Sequence, residues 1–334
     1  MTLIKSISGI RGTIGGVPGD NLTPIDMVKF TAAFVKFVQH KGIERPRIVV
    51  GRDARMSGFF VNQVVCGTLQ AMGADVLDIG LSTTPTTEIA VTGLKADAGI
   101  ILTASHNPAQ WNALKLLNEK GEFISAAEGA WLLDVAARDE FEFVPIDKIG
   151  SYQQVDGWID KHVEMVCQLP LVNREVIKAA HFKVAVDAVN STGGIAIPKM
   201  LRALGVDNIL ELNCEPTGNF AHTPEPLAQN LTDICRYVKE QGCDFGVVVD
   251  PDVDRLVFVK EDGVWAKLPV GSQFSSKMLS TPKARSIFGM AMPPVEFTAS
   301  TATLKLAALM TSRFTKGSWQ TISTCLSIQP STCW

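Results

Sequence analysis

Residues 98–118, "AGIILTASHNPAQWNALKLLN", place a serine directly after an apolar segment. The run at 99–102 has the length and the β-branched content of a buried strand, and the Asn-Pro pair at 107–108 ends it. Ser105 and His106 therefore follow a predicted interior strand. Because open α/β sheets usually keep their chemistry at the carboxyl ends of strands, we predict that Ser105 lies in a functional site.

The overall composition predicts a globular protein with a small ligand. The chain has 334 residues, of which 46% are hydrophobic, enough for two or three domains with their own cores. Its net charge of −3 gives no general attraction to nucleic acid or to an anionic membrane. No signal-peptide pattern and no long uncharged apolar run is present, so we predict a cytoplasmic protein. Seven cysteines without a C-x-x-C pair predict neither a disulfide framework nor a structural zinc site.

Strand and helix patterns alternate along the first 150 residues. Thr23 and Pro24 suit the first positions of a helix, and "RIVVG", "DVLDIG" and "DAGIILTA" suit strands. This alternation is typical of a parallel sheet covered by helices. The irregular segment "VPIDKIGS" predicts a domain boundary near residue 150.

A second unit at 151–255 repeats the alternation. Its strand patterns are "FKVAVDAVN", "NILELN" and "DFGVVVD", and helices are predicted at about 193–204 and 227–241. We therefore predict an α/β fold of successive domains with mixed, mainly parallel sheets. Residues 256–334 are predicted to begin a third, incomplete domain that continues into an atypical tail.

The tail at 268–334 differs in composition from the rest of the chain. Its only acidic residue is Glu296, and serine and threonine fill 20 of its 67 positions. It shows no alternation of strand and helix patterns. Two explanations are open: a disordered extension, or translation in a shifted reading frame, which we favour.

The segment "DFGVVVDPDVDRLVFV" carries three aspartates on alternate positions, Asp250, Asp252 and Asp254. Carboxylates this close repel one another unless a cation lies among them, and their hard oxygens suit Mg²⁺ or Ca²⁺. An EF-hand calcium loop is one alternative, since Glu261 occupies its twelfth position, but Arg255 stands where that loop requires glycine. A solvated acidic turn is the other alternative.

The serine and the aspartates together suggest phosphoryl chemistry. A serine hydroxyl can carry phosphate if a divalent cation neutralises the charge during transfer. Lys115 would then donate or accept a proton, with a pKa lowered by burial and positive neighbours. The alternatives are that Ser105 caps a helix, that His106 hydrogen-bonds a loop, and that Lys115 is a surface lysine.

Two basic, glycine-rich turns are candidate phosphate sites. "SGIRGTIGG" contains Arg11, and "GRDARMSG" contains Arg52 and Arg55. Glycines let backbone N–H groups approach an anion, and arginines can bind its oxygens bidentately. Neither turn has the spacing of a Walker loop or of a dinucleotide site.

These motifs together resemble the α-D-phosphohexomutases, which interconvert hexose 1- and 6-phosphates. "TASHNPAQWNALK" resembles the active-serine loop of the family, "DPDVDR" its metal loop, and "GIRG" and "GRDARMSG" its phosphate-handling turns. The resemblance covers about residues 1–267 and implies successive α/β domains of the phosphohexomutase type. Within the family, "SGIRGTIGG" is most similar to the bacterial phosphoglucosamine mutases.

The resemblance also implies a role for each candidate residue. Ser105 is the implied phosphoserine and binds Mg²⁺ together with the three aspartates. The implied neighbours of the phosphoryl group are Lys115 as general acid/base, His106, Arg11, Arg52 and Arg255. The implied reaction converts D-glucosamine 6-phosphate into D-glucosamine 1-phosphate through a bisphosphate intermediate, with a hexose 1,6-bisphosphate as priming donor.

Other functions stay open. A phosphomannomutase or phosphoglucomutase is the nearest alternative, followed by a non-catalytic protein that binds metal and phosphosugar, and by a calcium-responsive module. The sugar-binding and phosphate-anchoring loops of the family's third and fourth domains are not found after Lys267. Since remote phosphate binding orients the substrate, we expect little mutase turnover from this chain. The sequence predicts no oligomeric state.

Overall fold

A computed structural model describes residues 2–6, 9–170 and 172–266. The predicted tail at 268–334 lies outside the described residues, so both explanations of its composition stay predictions. The strands are β1 Ile4–Ser6, β2 Gly9–Thr13, β3 Arg47–Arg52, β4 Asp75–Leu81, β5 Ala98–Leu102, β6 Trp111–Leu117, β7 Tyr152–Gln154, β8 Lys183–Asp187, β9 Asn208–Leu212, β10 Phe245–Val249, β11 Leu256–Lys260 and β12 Trp265–Ala266. The α-helices are α1 Pro24–His40, α2 Gly58–Ala71, α3 Thr84–Gly93, α4 Ala126–Arg138, α5 Trp158–Cys167, α6 Arg174–Ala179, α7 Gly193–Leu204 and α8 Thr232–Glu240.

The described strands form two mixed sheets, which confirms the predicted α/β class. The first sheet has the order β1-β2-β6-β5-β3-β4-β7, and the second has the order β12-β11-β10-β8-β9. In the first sheet β5, β3, β4 and β7 run parallel, while β1, β2 and β6 add antiparallel pairings. In both described sheets the antiparallel pairings are as numerous as the parallel ones, so both sheets are mixed.

The described sheets extend across both predicted domain boundaries, and the boundaries themselves stay predictions. β7 pairs with β4, so the first sheet reaches Gln154, beyond the boundary predicted near residue 150. β11 pairs antiparallel with β10 and β12 pairs with β11, so the described residues 256–266 continue the second sheet. The reason is local, because the turn after β10 is short enough to return the chain directly alongside it.

The predicted helix starts are largely correct. Thr23 caps α1 with its side chain, and a reciprocal bond from Asp26 completes a capping box around Pro24. α7 covers 193–204 as predicted. The helix predicted from 227 begins at Thr232 instead, because a short 3₁₀ turn precedes it.

Helices cover both faces of the first sheet. Alternate residues of one strand point to opposite layers, so Val50 packs into the core beneath α1, α2 and α4, and Val49 packs with α3. Trp158 at the start of α5 also enters the α3 layer. A Cβ on Gly93 would lie only 2.5 Å from the Trp158 ring, so α5 fits closely against α3. This packing joins the two units and fixes how their strand ends face one another.

Candidate active site

Ser105 lies where the two described units meet. Its side chain is buried, and its hydroxyl donates a hydrogen bond to Asp250 Oδ2 at 2.6 Å. Ser105 Oγ also lies 3.3 Å from Asp254 Oδ1 and 3.4 Å from His106 Nδ1. The fold thus brings the serine into contact with the aspartate loop, which is distant in sequence. The hydroxyl does not cap a helix, so that alternative is wrong.

The serine adopts an unusual backbone conformation. Its φ of +47° is in the left-handed region, which residues with a Cβ rarely enter. Such a conformation costs free energy and persists only when the surroundings determine it. The turn therefore needs a source of stabilisation, and the buried Arg55 beneath it provides one.

The three aspartates lie on the turn between β10 and β11. One carboxylate oxygen from each of Asp250, Asp252 and Asp254 lies within 4.8 Å of the others. Asp250 and Asp252 are fully buried while Asp254 is exposed, so the turn is not the solvated turn of that alternative. Antiparallel strands flank the turn, so the EF-hand alternative is wrong as well.

The carboxylate cluster has the donor set of a divalent-cation site. Asp252 Oδ1 is buried and has no hydrogen-bond partner among the described residues. Burial and the charges of Asp254 and Asp252 raise the pKa of Asp250 well above its ordinary value. Close, buried carboxylates with an unpaired oxygen fit a hard cation such as Mg²⁺, which binds through oxygen ligands.

Lys115 lies beside this cluster on β6. Its ammonium group donates to Asp252 Oδ2 at 2.8 Å and to Asp254 Oδ2 at 2.9 Å. Burial alone would lower the pKa of Lys115, but the two carboxylates outweigh burial and raise it. The expected lowering of the pKa depended on a cation beside Lys115 and stays a prediction, whereas the alternative of a surface lysine is wrong, because the side chain is only 11% exposed. Lys115 is held as a charged hydrogen-bond donor at the cluster.

Thr84 is a contact that the sequence did not indicate. Its hydroxyl donates to Asp252 Oδ2 at 2.6 Å, and its backbone N–H donates to Asp252 O at 2.8 Å. Because Thr84 begins α3 of the first unit, it fixes the aspartate turn of the second unit. The residue follows a strand end, as Ser105 does, and that position was the available signal.

Glu88, one turn further along α3, adds a carboxyl group to the same surroundings. Burial raises the pKa of Glu88 to about 8, with Lys115 opposing the shift and Asp254 and Asp252 adding to it. No motif surrounds Glu88 on helix α3, so sequence patterns alone did not indicate this residue.

Arg255 and His106 lie on the side of the cluster that faces outward. Arg255 Nη1 lies 3.2 Å from Glu225 Oε1, and the Arg255 backbone N–H donates to Asp250 Oδ1 at 3.1 Å. Burial and the Arg255 charge lower the pKa of His106, whereas Glu225 opposes the shift. Both predicted residues are therefore adjacent to the serine turn, and Glu225 is an additional one.

The two other predicted arginines differ in position. Arg11 on β2 also acts on the charge of His106, and its buried Nε has no partner among the described residues. Arg52 lies over the ring of Phe59 at 6.0 Å and donates to Asp53 O at 3.3 Å. None of the described contacts of Arg52 reaches the serine, so its phosphate-binding role stays a prediction.

Arg55 is not available to bind a phosphate. Its side chain is fully buried, and each N–H group already has a protein acceptor. Four of these acceptors are backbone carbonyls of the serine turn. The expectation that Arg55 binds phosphate oxygens is therefore wrong, because the turn uses its donors.

The matching family models describe two domains in the order observed. The model for phosphoglucomutase/phosphomannomutase alpha/beta/alpha domain I matches residues 3–143, and that for alpha/beta/alpha domain II matches residues 160–263. The chain belongs to the phosphoglucomutase/phosphomannomutase family. This confirms the resemblance to the α-D-phosphohexomutases, a family of isomerases that transfer phosphoryl groups.

Known proteins of this family cover the same part of the chain. A phosphoglucomutase/phosphomannomutase of Thermococcus kodakarensis is 35% identical over 255 residues, which are 75% of this chain and 55% of the relative. A protein of Methanosphaera stadtmanae named "Probable phosphoglucosamine mutase" is 32% identical over 263 residues, 78% of this chain and 56% of the relative. A crystal structure from Burkholderia thailandensis, of a phosphoglucomutase/phosphomannomutase family protein, has a TM-score of 0.67 at 29% identity and covers 79% of this chain and 56% of that chain. The chain spans about half the length of the curated relatives it matches.

Among the described residues, no helix combines the length and apolar character needed to cross a membrane.

Proposed function

We propose that Ser105 is a phosphoryl carrier for hexose phosphates. The observation that carries the proposal is the 2.6 Å contact between Ser105 Oγ and Asp250 Oδ2, which joins a strand-end hydroxyl to a cation-type carboxylate cluster. Phosphoryl transfer needs positioning and charge neutralisation more than covalent chemistry by the protein. The serine, the carboxylates and the nearby cations provide those conditions.

The residues of the chain have distinct tasks in the proposed transfer. When phosphate moves to a sugar, a bond forms between phosphorus and the sugar oxygen, and the bond between phosphorus and Ser105 Oγ breaks. In the proposed step the Lys115 ammonium group gives a proton to the departing Ser105 Oγ, and the resulting amine takes the proton of the sugar hydroxyl, so Lys115 ends the step charged again. Lys115 is the proposed general acid/base, since its ammonium group is held at the cluster. Arg255, Arg11, Arg52 and His106 are the proposed phosphate neighbours.

Asp250, Asp252, Asp254 and the phosphorylated Ser105 would hold Mg²⁺. When bound, the cation would neutralise charge on the phosphoryl oxygens. The buried, unpaired Asp252 Oδ1 supports this assignment. A hexose 1,6-bisphosphate is the proposed priming donor, because a free serine cannot begin the cycle without one.

Glucosamine phosphate is the proposed sugar, with conversion of the 6-phosphate into the 1-phosphate. The support is the "SGIRGTIGG" turn and the names of several relatives that match most of this chain. The Thermococcus kodakarensis relative favours glucose or mannose phosphates as the second candidate. A cytoplasmic location and a small phosphosugar partner complete the proposal. The expectation of low turnover stays a prediction.

Intact-mass spectrometry tests the carrier proposal. The chain is incubated with Mg²⁺ and glucosamine 1,6-bisphosphate or glucose 1,6-bisphosphate, and we expect a gain of one phosphate. Ser105→Ala should abolish the gain, while Ser151→Ala, at an exposed serine, should retain it. Failure of the unaltered chain to accept phosphate from either donor, or equal uptake by Ser105→Ala, would contradict the proposal.

A further inference from the structure

We infer that Arg55 is a positioning residue that sets the conformation of the serine loop, defined here as residues 104–111. The geometry rests on the described contacts alone, whereas the activity readout rests on the proposed phosphoryl-carrier function. Arg55 lies in the turn between β3 and α2, close to the serine loop in space but distant in sequence.

The guanidinium group of Arg55 has five N–H donors, and five acceptors are present. Nε donates to Asp53 Oδ2 at 3.0 Å. The Nη1 group donates to Pro108 O at 2.8 Å and to Trp111 O at 3.1 Å, while Nη2 donates to Asn107 O at 2.8 Å and to Ser105 O. One side chain therefore binds four carbonyls across the whole loop.

Burial makes these bonds important for the conformation of the loop. The Arg55 side chain is 0% exposed, so water cannot replace it as the donor to the carbonyls that it binds on its buried side. A buried carbonyl that loses its donor keeps the cost of desolvation without compensation. The loop conformation seen here is thus favoured over others that would leave these carbonyls unpaired.

The hydrogen-bond network also includes the backbone N–H of Ser105. Asp53 accepts from the Arg55 backbone N–H at 2.9 Å and from Thr103 Oγ1 at 2.7 Å. Thr103 Oγ1 in turn accepts from the backbone N–H of Ser105 at 3.0 Å. Both the N–H and the carbonyl of Ser105 are therefore connected to one buried ion pair, which explains how its φ of +47° is maintained.

The second unit covers the guanidinium group from the other side. The ring centroid of Phe220 lies 5.0 Å from Arg55 Cζ, within the range of a cation–π contact. Gly218 approaches so closely that a Cβ there would lie 2.0 Å from Ala54 O. The hydrogen bonds of the network all lie within the first unit, and the second unit covers them.

Lysine cannot replace this arginine. An ammonium group has three donors on one nitrogen and cannot reach four carbonyls arranged around a planar fork. Arg55→Lys therefore keeps the positive charge near Asp53 but loses most of the hydrogen bonds to the loop. The variant thus distinguishes the effect of the charge from the effect of the hydrogen bonds.

Amide hydrogen exchange of the full chain tests the inference. In Arg55→Lys we expect exchange within residues 104–111 to rise by at least about tenfold, with β8 and β10 unchanged. The matched control is Arg45→Lys, because Arg45 binds Asp75 bidentately on the exposed surface. Unchanged exchange of the serine loop in Arg55→Lys would overturn the inference.

Phosphate uptake from hexose 1,6-bisphosphate provides the second readout. We expect the maximal rate of Ser105 phosphorylation to fall by about tenfold to a hundredfold in Arg55→Lys, with an unchanged thermal shift on addition of Mg²⁺. An unchanged rate would also overturn the inference. If the unaltered chain accepts no phosphate, the proposed function fails, and the exchange comparison alone decides the role of Arg55.

Phe220→Ala is the second variant in case Arg55→Lys does not fold. Phe220 is only half-buried, and its removal leaves every hydrogen bond of Arg55 in place. We expect a smaller rise in exchange, about threefold, confined to the serine loop. Exchange equal to that of the unaltered chain in this variant would count against the inference.

Discussion

The serine loop and the aspartate turn are in contact, but they differ in whether their buried polar groups have hydrogen-bond partners. In the serine loop, Arg55 supplies a donor to each of four backbone carbonyls. In the aspartate turn, carboxylates crowd together and Asp252 Oδ1 keeps no partner among the described residues. Folding satisfies the polar groups of the first region, whereas the second keeps the oxygen ligands that the proposed cation would use. The two regions should therefore respond differently to the same chemical change.

The largest effect is expected at Asp53, a fully buried carboxylate of the serine region. Asp53→Asn removes the charged partner of the buried Arg55, and loss of one partner of a buried ion pair typically costs about 3–5 kcal/mol. Urea unfolding should show this decrease in the free energy of unfolding. The control is Asp262→Asn, since Asp262 is exposed and pairs with Lys260. If Asp53→Asn lowered the free energy of unfolding no more than Asp262→Asn does, the buried ion pair would not stabilise the serine loop as argued.

A second test concerns the packing that holds the two regions together. His162 Nδ1 on α5 and Thr86 Oγ1 on α3 share a hydrogen bond of 2.9 Å. His162 Nε2 is buried without a partner among the described residues. Burial lowers the pKa of His162 from 6.5 to about 4. The unfolded chain binds this proton below pH 6.5 but the folded chain binds it only near pH 4, so stability falls as the pH decreases through this window.

His162→Phe should remove that acid sensitivity. At about 1.4 kcal/mol per pKa unit, the unaltered chain should lose about 3 kcal/mol more than the variant between pH 6.5 and pH 4. Denaturation curves at several pH values measure the difference. His181→Asn, at an exposed histidine, is the control and should keep the slope of the unaltered chain. If the free energy of unfolding fell equally steeply with decreasing pH in His162→Phe and in the unaltered chain, His162 would not be the source of the acid sensitivity.

The sequence predicted the elements of the site better than their interactions. The apolar run before Ser105 and the alternate aspartates each have a pattern, because strand ends and turns leave local signals. Their contact across the two units agrees with the family motifs. The antiparallel strand β2 was not predicted, because "SGIRGTIGG" is rich in glycine and equally typical of a turn.

The partners and pKa shifts of the charged side chains were harder to predict, because they depend on the groups that lie nearest in space. Arg55 in a glycine-rich turn suits a phosphate or a set of carbonyls equally well, and only the fold shows the carbonyls. Lys115 was expected beside positive groups, but Asp252 and Asp254 reverse the direction of its pKa shift. Glu88 lies within a helix without any motif, and the only signal for Thr84 was its position after a strand end.

The smallest effect on the folded chain alone is expected at Asp250, which is as buried as Asp53. With a chelator present, Asp250→Asn relieves repulsion, and its Oδ1 can accept from the Arg255 backbone N–H while its amide donates to Ser105 Oγ, so the free energy of unfolding should change by less than about 1 kcal/mol. Mg²⁺ at about a hundred times its Kd should stabilise the unaltered chain by about 2.7 kcal/mol, and Asp250→Asn should lose that gain. Thermal unfolding with Mg²⁺ and with chelator measures both values. If Asp250→Asn destabilised the chelated chain as strongly as Asp53→Asn, the aspartate turn would be complete without a cation, and the contrast between the two regions would disappear.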